Sequence, residues 1–331
     1  MQLLVLSGQA VRSVLGYPEC ADAMREALAA RARGEVFQPL RSVLKPDGAA
    51  GQMALMPSYW QDQPAGYGLK AITITPGNPV AGLDSHQGIV LLSASATGEP
   101  IAVLNASAVT EIRTAAVSAV ATSVLANEDA DVLAIIGTGV QARAHLQAIG
   151  ATRRLAEIRV AGSSPGKAAR LIADLAPFVS DDVKLVACAS VEEAVAAAGI
   201  IVTATNSAEP VIRRDWLSPG THINAVGACL PSFRELDTAT VADAALFCDS
   251  RESVLAEAGD YVLAAADGAV GPEHIKAELG DLLTGAADGR RGEREITIFE
   301  SLGLAVEDLA AAAVAYQAAT DRDIGTCLDF D

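Results

Sequence analysis

The chain has 331 residues, 51% of them hydrophobic, with 24 Lys plus Arg against 41 Asp plus Glu and a formal net charge of −17. That length supports two domains of roughly 100–200 residues and an alanine-rich core, which excludes a disordered chain and a small disulfide-stapled fold. A surface this acidic repels phosphate backbones and anionic lipid, so neither nucleic acid nor a membrane is expected as a partner, and apolar runs such as 309–316 fall short of the ~20 residues of a bilayer span. In chain order, the N-terminal stretch 1–7 reads as a first strand, since no leading positive charge or apolar core marks a secretory leader. Short β-type runs punctuated by Pro and Gly are predicted at 52–56, 69–75, 88–93 and 101–104, the last two as a hairpin around Ala96-Thr97-Gly98-Glu99. Ser107 is placed to cap a helix over 108–125, where Val109, Ile112, Ala116, Val120 and Val124 recur at helical spacing.

From Asp131 the rhythm changes. Strands are predicted at 132–136, 158–161, 185–188, 200–204, 223–226 and 246–248, with helices at 141–149, 167–175 and 191–198. Apolar strands alternating with helices demand a parallel sheet, because parallel strands need crossovers. The fold class is therefore α/β, with a doubly wound domain over 117–300 and a first domain over 1–116. A last helix over 306–319 is expected to pack back on the first domain, so that 301–331 completes it.

Gly137-Thr138-Gly139-Val140-Gln141-Ala142 follows a strand directly and opens a helix, the context in which a glycine pattern binds a dinucleotide in a Rossmann-type domain. Gly137 allows the tight turn, Gly139 leaves no side chain between backbone and pyrophosphate, and Ala142 is small enough for close helix–strand packing. Thr138, Val140 and Gln141 bring their backbone N–H groups to the helix N-terminus, where anions are favoured. An NAD site usually has a carboxylate at the end of the second strand, but here Val160-Ala161-Gly162-Ser163-Ser164 has none. Ser163, Ser164 and Lys167 could instead hold a 2′-phosphate, which favours NADP(H) over NAD(H). Thr114, Thr205, Val226, Gly227 and Ser301 are expected to complete the cofactor set.

Two cations sit in apolar company. Strand alternation places Lys70 on the face of Ile72 and Ile74, and Arg113 lies on the predicted helix among Val109, Ala116, Val117 and Val120. Burying a charge alone costs several kcal/mol, so each either pairs with a protein carboxylate or awaits an anionic ligand. Arg41, between Leu40 and Val43, is a weaker case. His86, His145, His222 and His274 share no metal-ligand spacing, and no metal is expected. Cys20, Cys188, Cys229, Cys248 and Cys327 form no C-x-x-C pair, which points to reduced thiols and a cytoplasmic setting. Cys229, just past a strand end, is read as a buried inert thiol.

With these residues assembled, the chain resembles the ornithine cyclodeaminase and mu-crystallin family from end to end. The resemblance rests on Tyr67-Gly68-Leu69-Lys70, Ser85-His86-Gln87-Gly88, Arg113-Thr114-Ala115-Ala116, the glycine turn, His222 to Ala228, Arg234-Glu235-Leu236-Asp237 and Ser301 to Asp308. It implies an NAD(P)-dependent enzyme acting on a small amino or imino acid, and a homodimer joined through an α+β substrate-binding first domain. It assigns Arg41, Lys70 and Arg113 to the substrate carboxylate, supplying the missing anion. Cyclodeaminases of this family resemble one another in carrying carboxylates where this chain has Cys229 and Ala54, so cyclisation of a diamino acid lacks its base. The expected activity is NAD(P)H-dependent reduction of a small, cyclic α-imino acid such as pyrroline-2-carboxylate or piperideine-2-carboxylate. The alternatives are an alanine dehydrogenase-like or ornithine cyclodeaminase activity and a non-catalytic, mu-crystallin-like binding protein.

Overall fold

The computed structural model describes residues 1–330, and the chain divides into two compact units, Met1–Arg113 with the segment from Gly303 onward, and Thr114–Leu302. The sequence-based boundaries fall at 116/117 and 300/301. The first observed boundary lies inside one uninterrupted helix, where no loop residue marks it.

The chain opens with β1 (Gln2–Leu6), α1 (Gly8–Val14), α2 (Tyr17–Ala32), β2 (Val36–Phe37), β3 (Ser42–Leu44), β4 (Gln52–Trp60), β5 (Tyr67–Ile74), β6 (His86–Ser93) and β7 (Pro100–Asn105), and α3 (Ala106–Leu125) then carries it from one unit into the other. The second unit continues with β8 (Val132–Ile136), α4 (Val140–Thr152), β9 (Glu157–Ala161), α5 (Pro165–Leu175), β10 (Lys184–Ala187), α6 (Val191–Val195), β11 (Ile200–Thr203) and β12 (His222–Ala225). It ends with α7 (Thr238–Asp243), β13 (Ala245–Cys248), α8 (Arg251–Glu257), α9 (Gly259–Ala266), β14 (Ile275–Glu278), α10 (Leu279–Thr284) and β15 (Thr297–Glu300), after which α11 (Ala305–Asp321) and β16 (Thr326–Asp329) return to the first unit.

In the first unit the sheet runs β16-β1-β7-β6-β5-β4-β2, with β3 on β4, and only the β1–β7 pair is parallel. Strand alternation buries Ala54, Met56, Ser58 and Trp60 of β4 and Gly68, Lys70 and Ile72 of β5. Helix α11 packs over β4, β5 and β6 and against α2. A polar strand residue on that covered face therefore looks at α11.

The second unit holds an all-parallel sheet of order β10-β9-β8-β11-β12-β15-β13-β14. From β8 the chain steps outward through β9 and β10 on one side and through β11 and β12 on the other. The switch point between β8 and β11 is where open parallel sheets bind ligands, beyond the carboxyl ends of their strands. Strands β11, β12, β13 and β15 are buried throughout, as two-sided coverage requires.

Three sequence-based expectations are corrected. No element was predicted over 249–299, yet β15 lies inside the sheet between β12 and β13, with β14 at its edge. Thr297 and Glu300 bracket only two apolar residues, so β15 never presents an apolar run. Helices α1 and α2 were also missed, since alanine-rich α2 shows no sharp apolar stripe. Ser107 does not cap α3. The helix begins two residues earlier, and Asn105 Oδ1 accepts from Ala108 N at 2.9 Å, while Ser107 Oγ donates to the His86 carbonyl. By length and apolar content α3 could cross a membrane, yet 83% of its most apolar stretch is buried within the protein. His145 and His222 are buried hydrogen-bonding residues, touching Ser118 Oγ at 2.9 Å and Thr297 Oγ1 at 2.9 Å. Burial, with Arg290 nearby, drives His222 down to about 3, so it stays neutral at ordinary pH.

Losing the Asn105 cap removes a bond that Ser107 does not replace. Asn105→Ala is expected to lower stability by about 1 kcal/mol, read as a lower thermal midpoint.

Candidate functional site

Lys70, paired in register with Met56 and Val90, points to the covered face of its sheet and is 2% exposed. Its Nζ lies 2.7 Å from Asp308 Oδ2 in the first turn of α11. Arg113, 4% exposed on α3, donates through Nε to Asp308 Oδ1 at 3.1 Å and through Nη1 to Glu307 Oε2 at 2.8 Å. Asp308 thus bridges both cations. Arg41 is half-buried ahead of β3, and its Nη2 donates to the Gly303 carbonyl at 3.0 Å. Gly303 has a φ of +81°, and a Cβ there would stand 2.5 Å from Arg113 Nη1, so this turn needs glycine to receive the guanidinium.

The structure thus corrects the expectation of a missing anion. Protein carboxylates already accompany Lys70 and Arg113, and a substrate carboxylate would join an organised cluster rather than neutralise bare charges. Burial is the main influence on Lys70, lowering its pKa to about 8, with Arg113 and Arg41 adding repulsion against the pull of Asp308. An ammonium that gives up its proton this readily can act as an acid near neutrality.

In the second unit Gly137 takes a φ of +128° at the end of β8, and a Cβ there would lie 2.4 Å from the Ala204 carbonyl oxygen, so only glycine fits. Gly139 heads α4 without a side-chain cap, and nothing stands within 4 Å of where its Cβ would be. That open space before uncapped helical N–H groups is what a pyrophosphate needs. Thr138 packs on Gly162 at the end of β9, Val140 is exposed, Gln141 is half-buried and Ala142 is fully buried. Past β9, Lys167 Nζ donates to Ser163 Oγ at 3.2 Å on the surface, and Ser164 heads α5 with no side-chain cap of its own. Ser163, Ser164 and Lys167 are thus gathered at one strand end.

The remaining expected cofactor residues lie in the same unit. Thr114 and Ser301 are buried, and the hydroxyl of each lacks a hydrogen-bond partner among the described residues. Val226 is buried and Gly227 half-buried just past β12, and Thr205 follows β11. Thr205 N and Gly227 N both donate to Glu235, at 2.6 and 2.7 Å. Two orphaned buried hydroxyls and an open glycine turn at a switch point fit a dinucleotide. Cys229 is half-buried rather than buried, and its Sγ donates to the Val226 carbonyl at 3.1 Å.

Sequence reasoning assigned no role to Glu307, Asp308 and Glu235. Glu307 and Asp308 stand between Val306 and Leu309, a signal like the one that singled out Lys70 and Arg113, applied there to cations alone, whereas Glu235 follows Arg234 and carries no such signal.

The pattern of the ornithine cyclodeaminase/mu-crystallin family matches residues 1–323. The ketimine reductase mu-crystallin of Mus musculus is 39% identical over 292 residues, covering 86% of this chain and 85% of that one. The Delta(1)-pyrroline-2-carboxylate reductase of Thermococcus litoralis, solved in complex with NADH and L-proline, superposes with a TM-score of 0.93 at 34% identity, covering 98% of this chain and 99% of that one. An archaeal alanine dehydrogenase dimer with bound NAD superposes with a TM-score of 0.92 at 31% identity over the whole of both chains.

Removing the shared carboxylate leaves the buried Lys70 without an acidic partner, while Arg113 keeps Glu307. Asp308→Asn is expected to destabilise the protein by about 3–5 kcal/mol, measured as the shift in its urea midpoint.

Proposed function

Because the chain belongs to the ornithine cyclodeaminase/mu-crystallin family, we propose that it is an NAD(P)H-dependent reductase of a small, cyclic α-imino acid such as pyrroline-2-carboxylate or piperideine-2-carboxylate. The observation that carries this reading is the buried cluster in which Asp308 ties Lys70 to Arg113 while Arg41 lies close enough to repel Lys70. It offers a carboxylate ligand fixed positive charge, and the imine nitrogen an acid. The pyrroline-2-carboxylate reductase that superposes on this chain was solved with NADH and L-proline, the product of such a reduction.

A dinucleotide held at the glycine turn would supply the hydride for reduction of the imine carbon. Arg41 and Arg113 hold the substrate carboxylate, since a planar guanidinium fork fixes orientation as well as charge. Lys70 gives its Nζ proton to the imine nitrogen, which becomes the amine as the C=N bond is reduced. Asp308 keeps Nζ in place and Glu307 keeps the Arg113 fork in place. Gly137 to Gln141 and the buried hydroxyls of Thr114 and Ser301 hold the nucleotide, with Thr205, Val226 and Gly227 beside them. We favour NADP(H), with NAD(H) the other candidate, because Ser163, Ser164 and Lys167 stand at the end of β9 where a carboxylate would repel a 2′-phosphate.

The first domain is proposed to pair two copies of the chain. Met53, Leu55, Tyr67 and Ile89 are exposed on its sheet, beside a groove of about 430 Å³ that Phe37, Tyr59 and Leu91 help to line. All five cysteines are free, which suits a reducing cytoplasm.

A second reading is alanine dehydrogenase-like deamination, favoured by the likeness to the archaeal alanine dehydrogenase. Cyclodeaminase chemistry is disfavoured, since Ala54 is buried in β4 and Cys229 bonds to a backbone carbonyl, leaving no carboxylate at either position.

Mixing the protein with NADPH or NADH and pyrroline-2-carboxylate should consume absorbance at 340 nm. Pyruvate with ammonia turning over faster would favour the dehydrogenase, ammonia release from ornithine would restore the cyclodeaminase, and tight nucleotide binding with no turnover would leave a binding protein. Lys70→Ala is expected to lose about 10² or more in kcat with nucleotide affinity retained. Because Lys70 acts while protonated, kcat/KM of the unaltered enzyme should fall as pH rises through about 8. A profile flat across that range would remove Lys70 as the acid.

A further inference from the structure

The second unit buries four carboxylates that the proposed reaction does not use, Asp249 among them. Glu235, Asp260 and Glu300 are at most 1% exposed. Asp260, in the first turn of α9, accepts from Glu235 N at 2.7 Å and Leu236 N at 2.8 Å, which fixes the backbone from which the Glu235 side chain extends. Both Glu235 oxygens are then spent on backbone donors. Oε1 takes Thr205 N at 2.6 Å and Oε2 takes Gly227 N at 2.7 Å.

These two donors lie just beyond the carboxyl ends of neighbouring strands β11 and β12, on the side of the switch point away from β9. The 2′ end of a dinucleotide belongs with β9, so the loops after β11 and β12 face its nicotinamide half. The Thr205 loop also abuts the glycine turn, since the Ala204 carbonyl occupies the space that Gly137 leaves empty. One carboxylate therefore ties together two loops next to the phosphate turn.

Burying a charge with no cation opposite is costly, and a glutamine would avoid that cost. Glutamine, however, presents one accepting end and one donating end, so it could satisfy only one of the two N–H groups. Burial raises Glu235, but the bonds from the Thr205 and Gly227 regions pull it back. On balance Glu235 is raised, Asp260 is raised by burial and by Glu235, and Glu300 is raised by burial, Asp260 and Glu235.

We propose that Glu235 is a positioning residue for the nicotinamide half of the dinucleotide, a two-oxygen clamp that sets the spacing of the Thr205 and Gly227 loops. This rests on the reading of the second unit as the nucleotide-binding domain. The test is a fluorescence titration of the full-length protein with NADH and with NADPH, alongside steady-state kinetics. Glu235→Gln is expected to raise the dissociation constant and the nucleotide KM at least tenfold, with kcat at saturating nucleotide within threefold of wild type. Glu235→Asp, charged but one methylene too short to reach both donors, should recover part of that loss. A folded Glu235→Gln protein that binds nucleotide within twofold of wild type overturns the clamp. If the glutamine variant does not fold, Glu235→Asp decides, and binding within twofold of wild type again overturns it. Absence of binding by the wild-type protein is a different result, sinking the nucleotide reading itself and the clamp with it.

Discussion

Buried charge is the constraint on which the first unit depends. Lys70 and Arg113 are nearly inaccessible to water, and two such cations side by side would cost more than the fold could supply unless carboxylates met them. The carboxylates arrive on α11, almost two hundred residues after Arg113 in the chain. The C-terminal helix therefore does two things at once. Its apolar residues cover β4, β5 and β6, and its first turn delivers Glu307 and Asp308 to the cations on that covered face. Placed at the N-terminus of a long helix, the two acids also sit where the helix dipole favours negative charge.

This arrangement explains how a lysine that releases its proton readily can sit inside an acidic protein. Chain-wide, acidic groups outnumber basic ones by seventeen, yet around Lys70 the influences that depress proton affinity win. Burial acts first, and the neighbouring arginines add to it. A net-negative surface and a readily deprotonated interior lysine are compatible because screening separates them. Charges at the surface act through water, while those beside Lys70 act through protein.

The second unit obeys a different constraint, the need of parallel strands for crossovers and coverage. Its strands and helices from β8 to β12 were legible because short strand-type segments alternate there with helical ones at regular spacing. The glycine turn was legible for the same reason, since φ and space at Gly137 admit nothing else. The insertion of β15 between β12 and β13 was not legible. Strand order is set by long-range pairing, and a four-residue strand with polar ends has no local signature. Asn105 displaced Ser107 as the cap of α3 for a similar reason, because the end of β7 and the start of the helix share one turn.

What the sequence by itself determined was the chemistry available: the α/β alternation, the glycine turn, the absence of an acid after β9, and cations too apolar in their surroundings to be idle. Each follows from residue type and short-range spacing, which operate within one element. Tertiary structure alone decided the pairings, namely that Asp308 bridges Lys70 and Arg113 and that Glu235 holds two strand-end loops. A charge advertises in sequence that it needs a partner. Which partner it gets depends on how distant segments fold over one another, and nearest neighbours along the chain carry no record of that.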